Sequence, residues 1–447
     1  MGKKIGANIF GYYQTRPNRC TMALAAGNEF AVGLCGPDNI FCWGEIPLHP
    51  LSKQLSVKSA RQVAAGFYHL AAVTHDGQVL ISRCGDNGMS LIHNRSGIGT
   101  FQHIQPSVFG HVPVFMVACG KAHTAVATTR GALYTWGSAF DGQLGLGSNS
   151  DRVYDPQLVP QAGFGHMPVS MVACGAYFTA AVTSRGVFTW GANHRGQLGH
   201  NSRVCCNTPK QVDSGSFETE KPVFIAAGRD FMAVVSSRGR LFTCGCNRYG
   251  QLGLGFLDNV NVPLRVLFYE CQDVAMAACG KAHTLLVDVQ GIMWASGLGQ
   301  WGQLGFEDKW GRHEFSRIPR ESFNGERVAV AAAGTAFSVA VTEAGRVYQW
   351  GVDFGTHPLA RQPLLIPSSR FVSVAFAVRP GKHDDHVLAF VMAMHARLGQ
   401  DSPVHVLVGK EELVRLISGL FESRMVVPGD PTEYEGYLRL MGERFEF

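Results

Sequence analysis

The chain has 447 residues, 16% of them charged, and 39 basic against 34 acidic side chains give a formal net charge of +5. That excess is mild for the length and does not by itself indicate nucleic acid, while 53 glycines fit a compact β protein rich in tight turns. No apolar run is long enough to cross a membrane as a helix, and Asn8-Ile9-Phe10 is too short for the core of a secretory signal.

From the N-terminus, the first patterned stretch is Ile5-Gly6-Ala7-Asn8-Ile9-Phe10-Gly11, which resembles Trp190-Gly191-Ala192-Asn193-His194-Arg195-Gly196 much later in the chain. A unit then begins to repeat. Its anchor is the glycine of an A-C-G or A-A-G triplet, found at Gly27, Gly66, Gly120, Gly175, Gly228, Gly280 and Gly334. The steps between anchors are 39, 54, 55, 53, 52 and 54 residues. A second glycine follows eleven residues later in six copies, from Gly77 to Gly345. A third follows Trp at Gly44, Gly137, Gly191 and Gly351, and Cys or Ser at Gly245 and Gly297. The tetrapeptide G-Q-L-G recurs unchanged at 142–145, 196–199, 250–253 and 302–305.

Each copy holds three short apolar runs separated by glycine, such as Val117-Ala118-Cys119, Thr124-Ala125-Val126 and Leu133-Tyr134-Thr135-Trp136. Short β-branched runs bounded by glycine read as strands joined by tight turns. A strand-rich unit of about 50 residues repeated around a ring is a propeller blade. Seven anchors therefore predict an all-β, seven-bladed β-propeller over residues 1–380. Its ring is expected to close by pairing the N-terminal stretch 5–14 with Phe371–Val378, which would hide two sheet edges. Beyond about residue 380 the texture changes. Lys410–Met425 carries Leu413, Leu416, Ile417 and Leu420 on one stripe, so 381–447 is expected to be a short α-helical C-terminal extension. It reads as a cap over apolar surface, with a partner-recruiting module as the alternative.

The motifs A-C-G-K-A-H-T, R-G-A-L-Y-T-W-G and D-G-Q-L-G-L-G over 118–147 resemble the regulator of chromosome condensation repeat. The resemblance spans roughly 21–370. It implies the seven-bladed propeller and several possible roles: guanine-nucleotide exchange on a Ran-like small GTPase, chromatin binding, ubiquitin-pathway adaptor work, or ultraviolet-B reception. The photoreceptors' Trp-rich G-W-R-H-T copies have no counterpart in Gly120-Lys121-Ala122-His123-Thr124 or Gly280-Lys281-Ala282-His283-Thr284. No long insertion suggests the exchange factors' wedge, and no ligase domain is appended.

Catalytic residues are not expected. His69, His123 and His283 stand three residues after an anchor, where other copies hold Phe30, Phe178, Phe231 and Phe337. A place that accepts either ring is a packing place, because Phe cannot act as a general base. Cys119, Cys174 and Cys279 alternate with Ala and read as buried filler. Cys205-Cys206 and Cys244-x-Cys246 are poor metal spacings, and His383-Asp384-Asp385-His386 reads as helix capping. No cofactor, metal or small-molecule substrate is expected, and reduced thiols place the chain inside the cell, cytoplasmic or nuclear.

Recognition is then expected in the loops, where copies differ most. One loop family follows the anchors and supplies Phe67, Tyr68, Lys121, Tyr177, Arg229, Asp230 and Lys281. The second precedes G-Q-L-G and supplies Arg195, Tyr249 and Trp301, with Trp310 nearby. Basic and aromatic side chains together suit an acidic protein partner or a chromatin-like surface. The sequence thus predicts a non-catalytic protein-protein interaction scaffold. The exchange factor and the chromatin or ubiquitin-pathway adaptor stand as alternatives.

Overall fold

The computed structural model describes residues 24–366, except 29, 35–38, 45–54, 57–59, 68, 84–100, 150–151, 268–272 and 353–359. All described residues fall within one compact unit of the chain. The expected terminal closure over 5–14 and 371–378, and the helical extension 381–447, lie outside the described residues.

The described residues form an all-β propeller. They build seven antiparallel sheets of four strands, each in simple up-and-down order: 24–56, 60–104, 114–158, 169–211, 222–265, 274–317 and 328–365. We number these sheets 1 to 7. Sheets 2 to 7 are the regular blades. Sheet 1 is described in part: three residues of its first strand and two of its outer strand, the latter paired through Asn39–Ser56 and Ile40–Leu55. The expectation of a seven-bladed propeller thus meets six regular blades, with sheet 1 described in part. Among the described residues the helices are short 3-10 turns, and none is long and apolar enough to cross a membrane.

First strands of successive sheets neighbour one another, and that of sheet 7 neighbours that of sheet 1. They therefore surround an axis, and this crowding dictates their Ala, Cys and Gly. A Cβ at Gly120 would lie 2.6 Å from the carbonyl oxygen of Gly175, and one at Gly175 would lie 2.8 Å from that of Gly228. The same close approach runs from Gly27 through Gly280. Ala31 of sheet 1 packs with Phe337 and Val339 of sheet 7, and the Thr335 hydroxyl donates to Asn28 Oδ1 at 2.6 Å.

G-Q-L-G clamps one sheet to the next. The Gln143 carbonyl accepts from the Thr179 hydroxyl at 2.8 Å and from Trp190 Nε1 at 3.0 Å, both in sheet 4. Gln303 repeats this with Ser338 at 2.8 Å and Trp350 Nε1 at 2.9 Å. The final glycine is needed because a Cβ at Gly145, whose φ is +73°, would lie 2.7 Å from Trp190 Nε1. Trp136 follows a sheet without G-Q-L-G, and its buried Nε1 has no partner among the described residues.

Two further devices finish the sheet edges and the links between sheets. The outer strands of sheets 3, 4, 5 and 7 each carry a proline, at Pro156, Pro209, Pro263 and Pro363. Proline lacks a backbone donor and so suits an edge strand, where it also discourages pairing with another chain. Among the described residues, four 3-10 turns link successive sheets and bury Phe109, Phe164, Phe217 and Phe323. These rings meet Tyr134, Phe188, Phe242 and Tyr348 edge-on, with centroids 5.2 to 5.6 Å apart.

Candidate protein-binding face

In an up-and-down sheet, the turn between strands one and two and the loop between strands three and four lie at the same end. Both expected loop families therefore share one face. The first family is tied by its backbone. Lys121 N–H donates to the Ala176 carbonyl at 3.2 Å, Ala176 to Arg229 at 3.0 Å, Arg229 to Gly280 at 3.2 Å and Lys281 to Gly334 at 3.2 Å. Each turn hands a hydrogen bond to the next, so their side chains stand on a fixed ring.

Phe67, Lys121 and Tyr177 come together from three neighbouring sheets. The Lys121 ammonium lies 4.8 Å from the Tyr177 ring centroid and 5.5 Å from that of Phe67, and it donates to the Tyr177 hydroxyl. A cation held between two rings gains from their negative faces. Arg229 pairs with Asp230 at 3.3 Å. Burial pushes the Asp230 carboxyl up, and the positive charges of Arg229 and Arg195 oppose that rise. Tyr68 lies outside the described residues.

Asp230, Tyr177 and Arg195 line a cleft of about 400 Å³ together with Asp141, Ala192, His194 and Gln197. The place of Asp141 at the cleft wall comes from three-dimensional packing across sheets. Lys281, Tyr249 and Trp301 do not enter this cleft. They continue the face into sheets 5 and 6, where Tyr249 is 42% and Trp301 45% exposed. Phe140, Val204, Phe256, Leu257 and Trp310 are also exposed on these loops. The face is basic at its surface: Arg195, Arg203, Arg229, Arg248, Lys281 and Lys309 are exposed, against Asp258 and Glu307.

The glutamine of G-Q-L-G holds this variable rim. Its side-chain oxygen accepts the backbone N–H two residues earlier: Asp141 at 2.9 Å, Arg195 at 2.9 Å, Tyr249 at 3.0 Å and Trp301 at 2.9 Å. One residue thus fixes both the blade junction, through its carbonyl, and the loop tip, through its side chain. An unchanging glutamine two places after a changing residue was the available signal.

The axial histidines are built for packing. His123 Nε2 lies 2.9 Å from the Thr179 hydroxyl, which itself donates to Gln143, so the imidazole is the donor there. His283 has the same arrangement with Ser338, and His69 meets Thr124 at 2.9 Å. Burial lowers the His69 pKa to about 4 and those of His123 and His283 to about 3, so all three rings are neutral at physiological pH. In other copies Phe178, Phe231 and Phe337 cover the anchor glycine in their place. Cys119, Cys174 and Cys279, expected to be buried, are half-buried, and burial of the Cys174 and Cys279 thiols raises them to about 12.

Comparison with known proteins decides the family. The model of the RCC1-like domain matches residues 45–357. The chain belongs to the RCC1-like domain family. The match begins after the first three strands of sheet 1. The ultraviolet-B receptor UVR8 of Arabidopsis thaliana is 29% identical over 354 residues, covering 75% of this chain and 78% of the receptor. The human E3 ubiquitin-protein ligase HERC2 is 28% identical over 369 residues, 76% of this chain but only 7% of the ligase. Among solved structures, human WBSCR16 superposes with a TM-score of 0.63 at 21% identity, covering 70% of this chain and 83% of that one. Yeast RCC1 (Prp20), solved with Kap60, gives 0.64 at 19% identity over 83% of this chain and 89% of that one. These last two likenesses show the shared fold.

Proposed function

We propose that this RCC1-like propeller is a non-catalytic protein-interaction scaffold that uses its basic, aromatic loop face to bind an acidic protein surface. One observation carries the reading. Four consecutive sheets hold a variable residue at one rim by the same glutamine hydrogen bond, and the variable residues are Asp141, Arg195, Tyr249 and Trp301. A rigid frame with changing tips is how repeat proteins separate folding from recognition. Aromatic and arginine side chains are also the types that dominate binding energy at interfaces. We also count sheet 1 as a seventh blade, supported by its contacts with sheet 7 through Ala31 and Asn28. The cytoplasm or nucleus is the proposed compartment.

Charge reversal tests this reading. Arg195→Glu with Arg248→Glu should abolish capture of the wild-type partner set while leaving the fold intact. Raising salt should weaken wild-type capture, since exposed charges are screened. Unchanged capture by the reversed variant contradicts the proposal. The second reading is nucleotide exchange on a Ran-like GTPase. It is favoured by the fold shared with yeast Prp20, a protein whose structure was described with its binding properties to Gsp1p and histones. Rapid nucleotide release from such a GTPase at catalytic propeller concentrations would replace the scaffold reading. Photoreception is not proposed, because Gly120–Thr124 and Gly280–Thr284 lack the Trp of the photoreceptors' G-W-R-H-T copies.

A further inference from the structure

Sheet 4 departs from its neighbours beside the cleft. Cys205 Sγ lies 3.7 Å from His194 Nε2 and accepts the Asn193 backbone N–H at 3.4 Å. In sheet 5 the equivalent backbone N–H, of Asn247, goes to Asn259 Oδ1 at 2.9 Å. Asn259 and Cys205 each stand nine residues after the first glycine of their G-Q-L-G, and Arg248 and Gln300 stand where His194 does. The loop is otherwise built alike in both sheets. Asn193 Oδ1 accepts Leu198 N–H at 3.0 Å, and Asn247 Oδ1 accepts Leu252 N–H at 3.0 Å. An amide oxygen therefore serves the loop equally well, and holding it does not require a thiol beside an imidazole.

The surroundings complete a chemical arrangement. His194 is exposed and Cys205 half-buried, so both can be reached from solvent. His194 also lines the cleft of about 400 Å³ with Asp141, Arg195 and Asp230. Cys206, next in the chain, turns away and donates to the Thr208 carbonyl at 3.1 Å. Cys244 is buried and Cys246 half-buried.

We propose that Cys205, with His194 as its proton acceptor, is a peroxide-reactive thiol on the loop face. The thiol proton passes to His194 Nε2. The thiolate sulfur attacks one oxygen of hydrogen peroxide, the O–O bond breaks, and the departing hydroxide takes the proton from His194 as water. Sulfur is oxidised to sulfenic acid and the peroxide is reduced. Thiolate character and access are what select such cysteines. The inference stands whether or not the loop face binds a partner.

The test uses the full-length protein, hydrogen peroxide and dimedone, with peptide mass spectrometry to follow each cysteine. Cys205 should be trapped roughly tenfold faster than Cys206 or Cys246. His194→Gln, which installs the residue found at the same place in sheet 6, should bring Cys205 down to their rate. Cys205→Asn, the sheet 5 solution, should keep the wild-type melting temperature and show no label at 205. Trapping of Cys205 no faster than Cys206 and Cys246 in the wild-type chain overturns the proposal. So does a Cys205 rate unchanged in folded His194→Gln.

Discussion

The axis and the rim of this propeller are made from the same repeat, yet they obey opposite rules. At the axis, the two most crowded positions admit one or two residue types: Gly at the anchor, and His or Phe three places on. Neighbouring sheets fix these choices, since the anchor glycine of one touches the anchor carbonyl of the next. At the rim, Asp141, Arg195, Tyr249 and Trp301 occupy one position with no shared chemistry, because glutamine grips only their backbone. A repeat tolerates change where the frame holds the main chain and leaves the side chain to solvent.

Substitutions at the axis should be costly. Gly120→Ala places a Cβ 2.2 Å from His123 Cε1 and 2.6 Å from the Gly175 carbonyl oxygen, with no flexible atom to yield at the latter. We expect a loss of about 3 kcal/mol, read from the denaturant midpoint. Acid should act at the same ring. The folded pKa values of about 4 for His69 and about 3 for His123 and His283 lie below the unfolded value near 6.5. The unfolded chain therefore takes up protons first as pH falls. The histidine contribution is complete above pH 6.5 and declines from there toward pH 3 to 4. His123→Phe, the solution of sheet 4, should fold and show a shallower decline in melting temperature between pH 6.5 and 4.

The blade junction ranks next. Trp190→Phe removes the Nε1 bond to Gln143 and should cost about 1 to 2 kcal/mol by the same denaturant measurement. Trp136→Phe should cost clearly less, because Trp136 Nε1 has no partner among the described residues. Equal losses at the two sites would show that the clamp contributes nothing. At the rim, Trp301→Ala should change stability by less than about 0.5 kcal/mol, since the ring is 45% exposed. A larger shift in melting temperature would mean that Trp301 belongs to the frame.

The same contrast explains what could be read from the sequence. Axial features were legible because crowding repeats: anchors every 50 or so residues, Phe interchangeable with His, and Ala with Cys. Placing His123 in the packing class needed only the comparison with Phe178. The edge prolines and the Phe217 and Phe323 turns were less legible. Their flanking residues differ between copies, and what they share is a role at a sheet edge or beneath a turn. The cleft was least legible. Asp141, Tyr177, Arg195 and Asp230 come from three sheets and meet only once the ring is folded. The Cys205 and His194 pair was hidden for the same reason, eleven residues apart on one loop and unremarkable as a spacing.

The division between frame and rim is tested most directly by one paired measurement on the variant Arg195→Ala, Tyr249→Ala, Trp301→Ala. Its denaturant midpoint and its quantitative capture of wild-type partners are read side by side. An unchanged midpoint with capture reduced to background is the predicted result. Full capture by the stable variant, or loss of capture only in step with loss of folding, would contradict it.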